Sequence, residues 1–339
     1  MERVLVTGSE GFIGGYIVKE LLDRNFEVVG IDNLSKYGKI IRNHSNDKNY
    51  KLHIGDVKDS KLLFNLLKDC DYLIAGAAMI GGISYFHDFA YDLLSENEKI
   101  ISTTTDIAIK CQNDFKLKRT IFLSSSMVFE STNIFPTKEE DITNIPPPES
   151  SYGFQKLSVE YFARAANLQY GLEYSIARPF NCVGIGEVKS LNSSESPNEK
   201  KLTLSHVVPD LIIKALEGSE SIEILGSGDQ IRHYTYGEDL AKGIVTLIKH
   251  PNAMNNDFNL STNESTSVID LAKLIWEKTR GTEKFKPLNV EPFKYDVQKR
   301  IPSTSKAKDL IGFEAETSLS EMLDIVIPWI KEAKKKGHY

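Results

Sequence analysis

Tyr152 and Lys156 stand four residues apart in the run Tyr-Gly-Phe-Gln-Lys. On a helix that spacing puts both side chains on one face. There an ammonium can stabilise a phenolate and bring a phenol of pKa about 10 toward neutrality. A phenol tuned in this way is a general base for a hydroxyl proton. Upstream, Ser124-Ser125-Ser126 ends the apolar run Thr120 to Leu123, and a serine at such a strand end can share the proton path. We assign that role to Ser125. Ser126 is its main competitor in the triplet and a substrate contact.

A hydride acceptor has its place at the N-terminus. Thr7-Gly8-Ser9-Glu10-Gly11-Phe12-Ile13-Gly14 follows the first apolar run directly and opens an amphipathic stretch through Ile17 to Leu22. Gly8 permits a tight turn, Gly11 lets the backbone approach a pyrophosphate, and Gly14 lets helix pack closely on strand. The helix start at Phe12 and Ile13 offers free N–H groups and a favourable dipole. Asp32 ends the second apolar run, roughly 20 residues beyond the glycines, where a carboxylate accepts bonds from the adenosine ribose and repels a 2′-phosphate. The expected cofactor is NAD rather than NADP, and its cationic nicotinamide further favours a Tyr152 phenolate. Asp56-Val57 ends the third run and Ala75-Gly76-Ala77-Ala78 the fourth. Small residues at those ends leave room for the cofactor.

The elements that must hold these groups follow from periodicity. Val4 to Thr7, Glu27 to Ile31, Tyr50 to Ile54, Tyr72 to Ala75 and Thr120 to Leu123 read as buried strands separated by helix-like segments. That alternation predicts an α/β fold with a doubly wound parallel (Rossmann) sheet. Thr132 to Ser150 reads as a polar, proline-rich loop before a helix from Tyr152 to about Tyr170, and Tyr174 to Ala177 as a further strand. Glu187 to Leu202 is polar and aperiodic, and we expect a mobile insertion there. Helical patterns at Pro209 to Leu216 and Val268 to Arg280, with a strand at Ile222 to Leu225, predict a smaller α/β C-terminal lobe. Asp239 to Lys249 is expected to return to the first lobe. The expected division is a cofactor domain of residues 1–180 plus 233–266, and a substrate lobe of 181–232 plus 267–339.

With 41 basic and 47 acidic residues the 339-residue chain carries a net charge of −6. That balance argues against a sequence-independent grip on nucleic acid, which needs a basic face. Three cysteines without paired spacing suggest neither a disulfide framework nor a metal site. No apolar run approaches a membrane span and the N-terminus enters a strand pattern at once. The expectation is a complete cytoplasmic protein with no membrane and no nucleic-acid partner.

Taken together, the motifs resemble the extended short-chain dehydrogenase/reductase family, specifically its nucleotide-sugar epimerases and dehydratases. The resemblance spans essentially the whole chain. It is carried by Thr7 to Gly14, Asp32-Asn33, Asp56-Val57, the serine triplet, Tyr152 with Lys156, and Arg178-Pro179-Phe180-Asn181. It continues in Gly226-Ser227-Gly228 followed by Arg232, and in Lys299-Arg300-Ile301-Pro302 before Ser305-Lys306-Ala307. It implies cofactor contacts from Asn33 and Phe180, and a nucleotide diphosphate held by Asn181, Arg232 and Arg300, whose planar forks suit phosphate oxygens. It also implies a homodimer through the helices around Asp92 to Lys110 and Tyr152 to Tyr170.

Departures from the family's patterns narrow the chemistry. Family dehydratases carry Asp-Glu after the strand-end Thr or Ser, and decarboxylases place a Glu two residues beyond it. The stretch here is Ser125-Ser126-Met127, and methionine transfers no proton, so both reactions are disfavoured. Family 3,5-epimerases and fucose synthases use a cysteine at that place, which Met127 again lacks. Two stretches still resemble the fucose-synthase branch: Ala77 to Ile83 with its Gly81-Gly82, and Ser205-His206-Val207-Val208-Pro209, whose histidine acts as an acid in that branch. His206 and Val207 are therefore placed at the substrate, with mere packing an equal reading for His206. Phe129 stands where the family usually has Tyr. Tyr85, Phe86 and His87 are placed on the pocket wall.

The expected reaction is redox epimerisation at carbon 4 of a UDP-hexose through a transient 4-keto sugar, using Ser125, Tyr152, Lys156 and tightly held NAD. The alternatives are a 3,5-epimerase or keto-sugar reductase acting on a GDP-, CDP- or dTDP-sugar, and a non-catalytic NAD-binding regulatory protein.

Overall fold

A computed structural model describes residues 1–80, 89–188, 206–291 and 297–337. In it the apolar runs become β1 (Arg3–Thr7), β2 (Glu27–Asp32), β3 (Tyr50–Ile54), β4 (Tyr72–Ala75), β5 (Arg119–Leu123) and β6 (Tyr174–Pro179). With an edge strand Asn256–Leu260 beyond β6 they form one seven-stranded sheet, ordered edge strand, β6, β5, β4, β1, β2, β3. All its pairings are parallel. The strands read as continuous apolar runs because both faces are covered. Val4 and Val6 enter one core, shared with helices Phe12–Asp23 and Gly237–Thr246. Leu5 enters the other, shared with helices Ser60–Leu67, Ala90–Asp114 and Ser151–Tyr170. Helix Gly237–Thr246 thus packs on the sheet.

Strand order reverses between β1 and β4. Connections leave in opposite directions at that point and open a crevice at the carboxyl ends of the strands, where ligands of such sheets bind. The glycine loop, Asp56-Val57 and Ala75-Gly76-Ala77 all lie at those ends.

A third core is built from helices Val207–Leu216, Val268–Arg280 and Leu319–Lys335, with Ile222 and Ile224 of a small parallel pair. Pro209 is accommodated because the helix begins at Val207 and proline is tolerated in a first turn. Helix Leu319–Lys335 starts with a capping box, in which the Ser318 hydroxyl accepts the Glu321 amide and the Glu321 carboxylate accepts the Ser318 amide.

Some segments differ from the sequence reading. The stretch Thr132 to Ser150 is a loop as read, but one that is tied down: Thr137 forms a bridge with Pro302, and residues Glu139–Thr143 make a 3-10 turn. Glu187, at the start of the expected mobile insertion, is buried and bonded to His206. Residues 189–202 lie outside the described residues, as do Gly81, Gly82, Ile83, Tyr85, Phe86, His87 and Ser205. Among the described residues no helix is long and apolar enough to cross a membrane. Cys70, Cys111 and Cys182 are free.

Candidate active site

The dinucleotide loop is shaped by backbone contact. Gly8 adopts φ +73°, and a Cβ there would lie 2.9 Å from the Cα of Ala77. Thr7 ties the same two strand ends together: its hydroxyl oxygen accepts the amides of Gly76 at 3.0 Å and Ala77 at 3.1 Å. Gly11 caps the helix without a side chain, so the first-turn amides of Phe12, Ile13 and Gly14 have no carbonyl partner within the helix. Amides left free in this way suit an anion. The Phe12 ring itself packs into the core, 5.8 Å from that of Tyr16.

Asp32 braces this loop from β2. Its carboxylate accepts the Glu10 amide at 3.0 Å and the Leu34 amide at 2.8 Å. Asn33 is exposed and accepts the Ser35 amide through its side chain. Asp56 accepts the Lys58 amide and pairs with the Lys58 ammonium at 3.5 Å, while Val57 is buried with Leu63. Backbone approach, free amides and a carboxylate at the ribose position make a cradle that a Cβ would fill, and these residues fit NAD.

The candidate catalytic groups meet at the end of β5. Helix Ser151–Tyr170 starts with Ser150, whose hydroxyl accepts the Gly153 amide at 3.0 Å and donates to Glu130 at 2.7 Å. It ends at Gly171 in the left-handed conformation. Tyr152 and Lys156 share a face, as their spacing requires. Lys156 donates to the Leu123 carbonyl at 3.0 Å, and its ammonium lies 6.0 Å from the centre of the Tyr152 ring. Burial pushes the Lys156 ammonium down to about 8.

Tyr152 departs from the sequence reading. Burial pushes its phenol above the ordinary range, opposed by a hydrogen bond with the Ser125 side chain and by the positive charge of Arg300. The opposing influences come from Ser125 and Arg300 rather than from Lys156, and burial prevails because the ring is packed among Leu93, Met127 and Ile80. A bound, oxidised nicotinamide would add a positive charge acting in the same direction as Arg300.

The three serines separate by geometry. Ser124 turns away and donates to Glu160 at 2.7 Å. Ser125 faces the tyrosine and caps the 3-10 turn Ser126–Phe129, accepting the Met127 amide at 3.2 Å. Ser126 is buried at the start of that turn.

Among the residues expected to bind substrate, Asn181 has φ +33° and donates to the His233 carbonyl at 3.0 Å. Its side-chain oxygen accepts from Arg300 at 3.4 Å. Arg232 lies in a two-residue strand paired with Thr266–Ser267, and Arg300 follows a bridge between Ile231 and Lys299. Phe180 is buried with Val128 and Phe129, and the Arg178 guanidinium stacks 5.1 Å from the Phe129 ring centre. His206 precedes helix Val207–Leu216 and bonds through Nδ1 to Glu187. Val207 packs on the third core. Ser125, Tyr152, Lys156 and Arg300 are thus brought together, whereas His206 bonds to Glu187.

Two positioning residues escaped the sequence reading. Asn97 accepts the Met79 amide at 2.7 Å and donates to the Met79 carbonyl at 2.9 Å, clamping the loop after β4. Its signal was present: Asn97 lies midway between Leu93 and Ile101 at helical spacing, a polar residue on a buried face. Arg42 donates to the Glu10 carbonyl at 2.8 Å and the Gly11 carbonyl at 3.0 Å, from behind the glycine loop. Nothing local marks it among the polar residues around it.

The sequence profile of the NAD dependent epimerase/dehydratase family matches residues 4–261. A UDP-glucose 4-epimerase of Halalkalibacterium halodurans is 27% identical over 97% of this chain and 96% of its own length. The crystal structure of a UDP-glucose 4-epimerase with UDP-glucose from Thermotoga maritima superposes with a TM-score of 0.82 at 27% identity, covering 98% of this chain and 99% of that one. A UDP-N-acetylglucosamine 4-epimerase from Methanobrevibacter ruminantium, in complex with UDP-N-acetylmuramic acid, gives 0.81 at 28% identity, covering 98% of both chains.

Proposed function

This chain belongs to the NAD dependent epimerase/dehydratase family, and from that premise we propose that it interconverts UDP-hexoses at carbon 4 through a transient 4-keto sugar. NAD is its cofactor. The observation that carries the reading is the Ser125 to Tyr152 hydrogen bond with Met127 packed on the same phenol. A base and its hydroxyl partner are in place, and the side chain where dehydratases and decarboxylases hold a carboxyl is a thioether that transfers no proton.

In this mechanism Tyr152 Oη takes the proton of the sugar 4-hydroxyl, with Ser125 holding the 4-oxygen. NAD, when bound, serves as a reversible hydride acceptor for carbon 4. Lys156 holds the nicotinamide ribose and adds positive charge beside Tyr152. Asn181, Arg232 and Arg300 grip the diphosphate, so the keto sugar can turn about that anchor and present its other face. Tyr152 then returns the proton, and no net oxidation results. Residues 1–180 plus 233–266 carry the cofactor in this reading, and 181–232 plus 267–339 the substrate.

The test is direct. Purified protein with NAD is expected to interconvert a UDP-hexose pair without added reductant. Absence of turnover across UDP-, GDP-, CDP- and dTDP-sugars overturns the reading. A 3,5-epimerase or keto-sugar reductase is the second reading, supported by His206 bonded to the buried carboxylate of Glu187, a pairing that orients an acid. Solvent deuterium at carbons 3 or 5, or net consumption of NADH, selects it. NAD binding without turnover, unchanged by Tyr152→Phe, selects a regulatory protein. We also propose a cytoplasmic homodimer through helices Ala90–Asp114 and Ser151–Tyr170. Exposed Tyr91, Phe154, Tyr161 and Leu168 on them support it, and the sedimentation-equilibrium mass in dilute buffer tests it.

A further inference from the structure

Ser124 and Ser125 are neighbours that face different partners. Ser125 serves Tyr152, while Ser124 donates to Glu160 Oε1 at 2.7 Å and lies 3.5 Å from the Lys156 carbonyl oxygen. Both Ser124 partners sit on the helix that carries Tyr152 and Lys156, and Glu160 is one turn beyond Lys156. Glu160 is fully buried and takes a two-pronged contact from Arg178 of β6, at 2.6 and 2.7 Å, with Arg164 at 3.0 Å. Arg178 is also fully buried and reaches Asp257 of the edge strand, where Arg164 at 3.1 Å and Lys306 at 2.7 Å converge. Five charges therefore share one site beneath the end of β5.

Such a cluster is a poor device for stability, since well-packed apolar residues of the same volume often do as well or better. Its geometry suits another task. Misplacement of a reacting group by about 1 Å can cost two orders of magnitude in rate, and the proton path needs the β5 end and the Tyr152 helix at one fixed separation. Sheet packing alone leaves a helix some freedom to slide along its axis. A short bond from Ser124 to a carboxylate that Arg178 holds on two prongs removes that freedom.

We propose that Glu160 is a positioning residue for the Ser125 and Tyr152 proton path, locking the end of β5 to the catalytic helix through Ser124 at a register set by Arg178. This rests on the reading of Tyr152 as the base. The groups that face Tyr152 are the Ser125 hydroxyl, the Lys156 ammonium and the Arg300 guanidinium, with apolar Leu93, Met127 and Ile80. Of these, the Ser125 contact is the one the brace controls.

Ser124→Ala removes the link and leaves the Glu160 and Arg178 pair whole. Glu160→Gln keeps an acceptor for Ser124 and removes the charge that holds Arg178. In the NAD-loaded full chain, the Tyr152 phenol is titrated by ultraviolet difference absorbance with Tyr152→Phe as the blank, beside kcat, KM and thermal midpoint. Both variants are expected to raise the phenol titration by about one pH unit. They are also expected to lower kcat about tenfold with KM within about twofold. A folded Ser124→Ala protein with the wild-type titration and kcat overturns the proposal, and it carries the test alone if Glu160→Gln fails to fold. If the wild type turns over no sugar, the carbon-4 reading fails, but the titration still decides whether the brace exists.

Discussion

A methyl group at Gly14 would lie 2.0 Å from the carbonyl oxygen of Gly8. The third glycine of the loop is thus required by the first, because the opening turn of helix Phe12–Asp23 rests on the backbone of the turn before it. Gly14→Ala must push helix from strand, and overpacking of this kind costs about 1–3 kcal/mol. We expect a lower thermal midpoint together with a loss of NAD affinity of at least tenfold, measured by calorimetry. Wild-type affinity in a stable Gly14→Ala protein would contradict this close contact.

Tyr152→Phe keeps the ring that packs among Leu93, Met127 and Ile80 and deletes only the oxygen. Stability should change little. Turnover is expected to fall by three orders of magnitude or about that, with NAD retained. Steady-state rates and the NAD content of the purified protein check this, and a variant within tenfold of wild type removes Tyr152 from the proton path.

Arg42 donates to two successive carbonyls behind the glycine loop, those of Glu10 and Gly11. The amides that follow are then held toward the pyrophosphate, and a positive charge stands close behind them. Arg42→Gln is expected to weaken NAD binding about tenfold and leave the affinity for free UDP unchanged. Equal losses for both ligands would mark a general loosening of the fold.

Lys156 gives a stability prediction with a definite sign. Its folded-state value of about 8 lies below the ordinary 10.5 because of burial. Below pH 8 both folded and unfolded chains hold the proton, so the full cost of burying the charge is present. Between pH 8 and 10.5 the unfolded chain holds more protons, so stability rises with pH across that window. Lys156→Met should therefore be more stable than wild type at pH 7 by about 2 kcal/mol, after loss of the bond to Leu123. That advantage should shrink by pH 10. Denaturant unfolding at the two pH values checks it, and an advantage that grows with pH contradicts it.

Much of this architecture is written locally in the chain. Val4 to Val6 and Ile121 to Leu123 are apolar throughout because both sheet faces are covered, and the glycine loop has its meaning from the strand before it and the helix after it. The edge strand Asn256–Leu260 went unread for the opposite reason. Its first two residues are Asn and Asp, and Asp257 is there to meet Arg178 and Lys306, a demand made by distant parts of the chain. The serine triplet has the same limit, since three identical residues carry no register, and partners on another element, Glu160 for Ser124 and Tyr152 for Ser125, distinguish the two. The direction of the Tyr152 shift is likewise set by packing from Leu93 and Met127, which spacing to Lys156 does not contain. The His206 contact with Glu187 is also a tertiary matter.

The bridge between Thr137 and Pro302 is closed by two bonds, from the Thr137 amide to the Ile301 carbonyl at 2.8 Å and from the Ser303 amide to the Thr137 carbonyl at 2.7 Å. It stitches the segment bearing Arg300 to the loop that leads into the helix of Tyr152. In the proposed reading, substrate choice and acid strength are therefore not separable modules for an engineer. A graft that exchanges residues 297–304 to admit another sugar also resets the charge that Tyr152 feels, and each such chimaera needs its pH optimum measured anew before its preference for substrates can be compared.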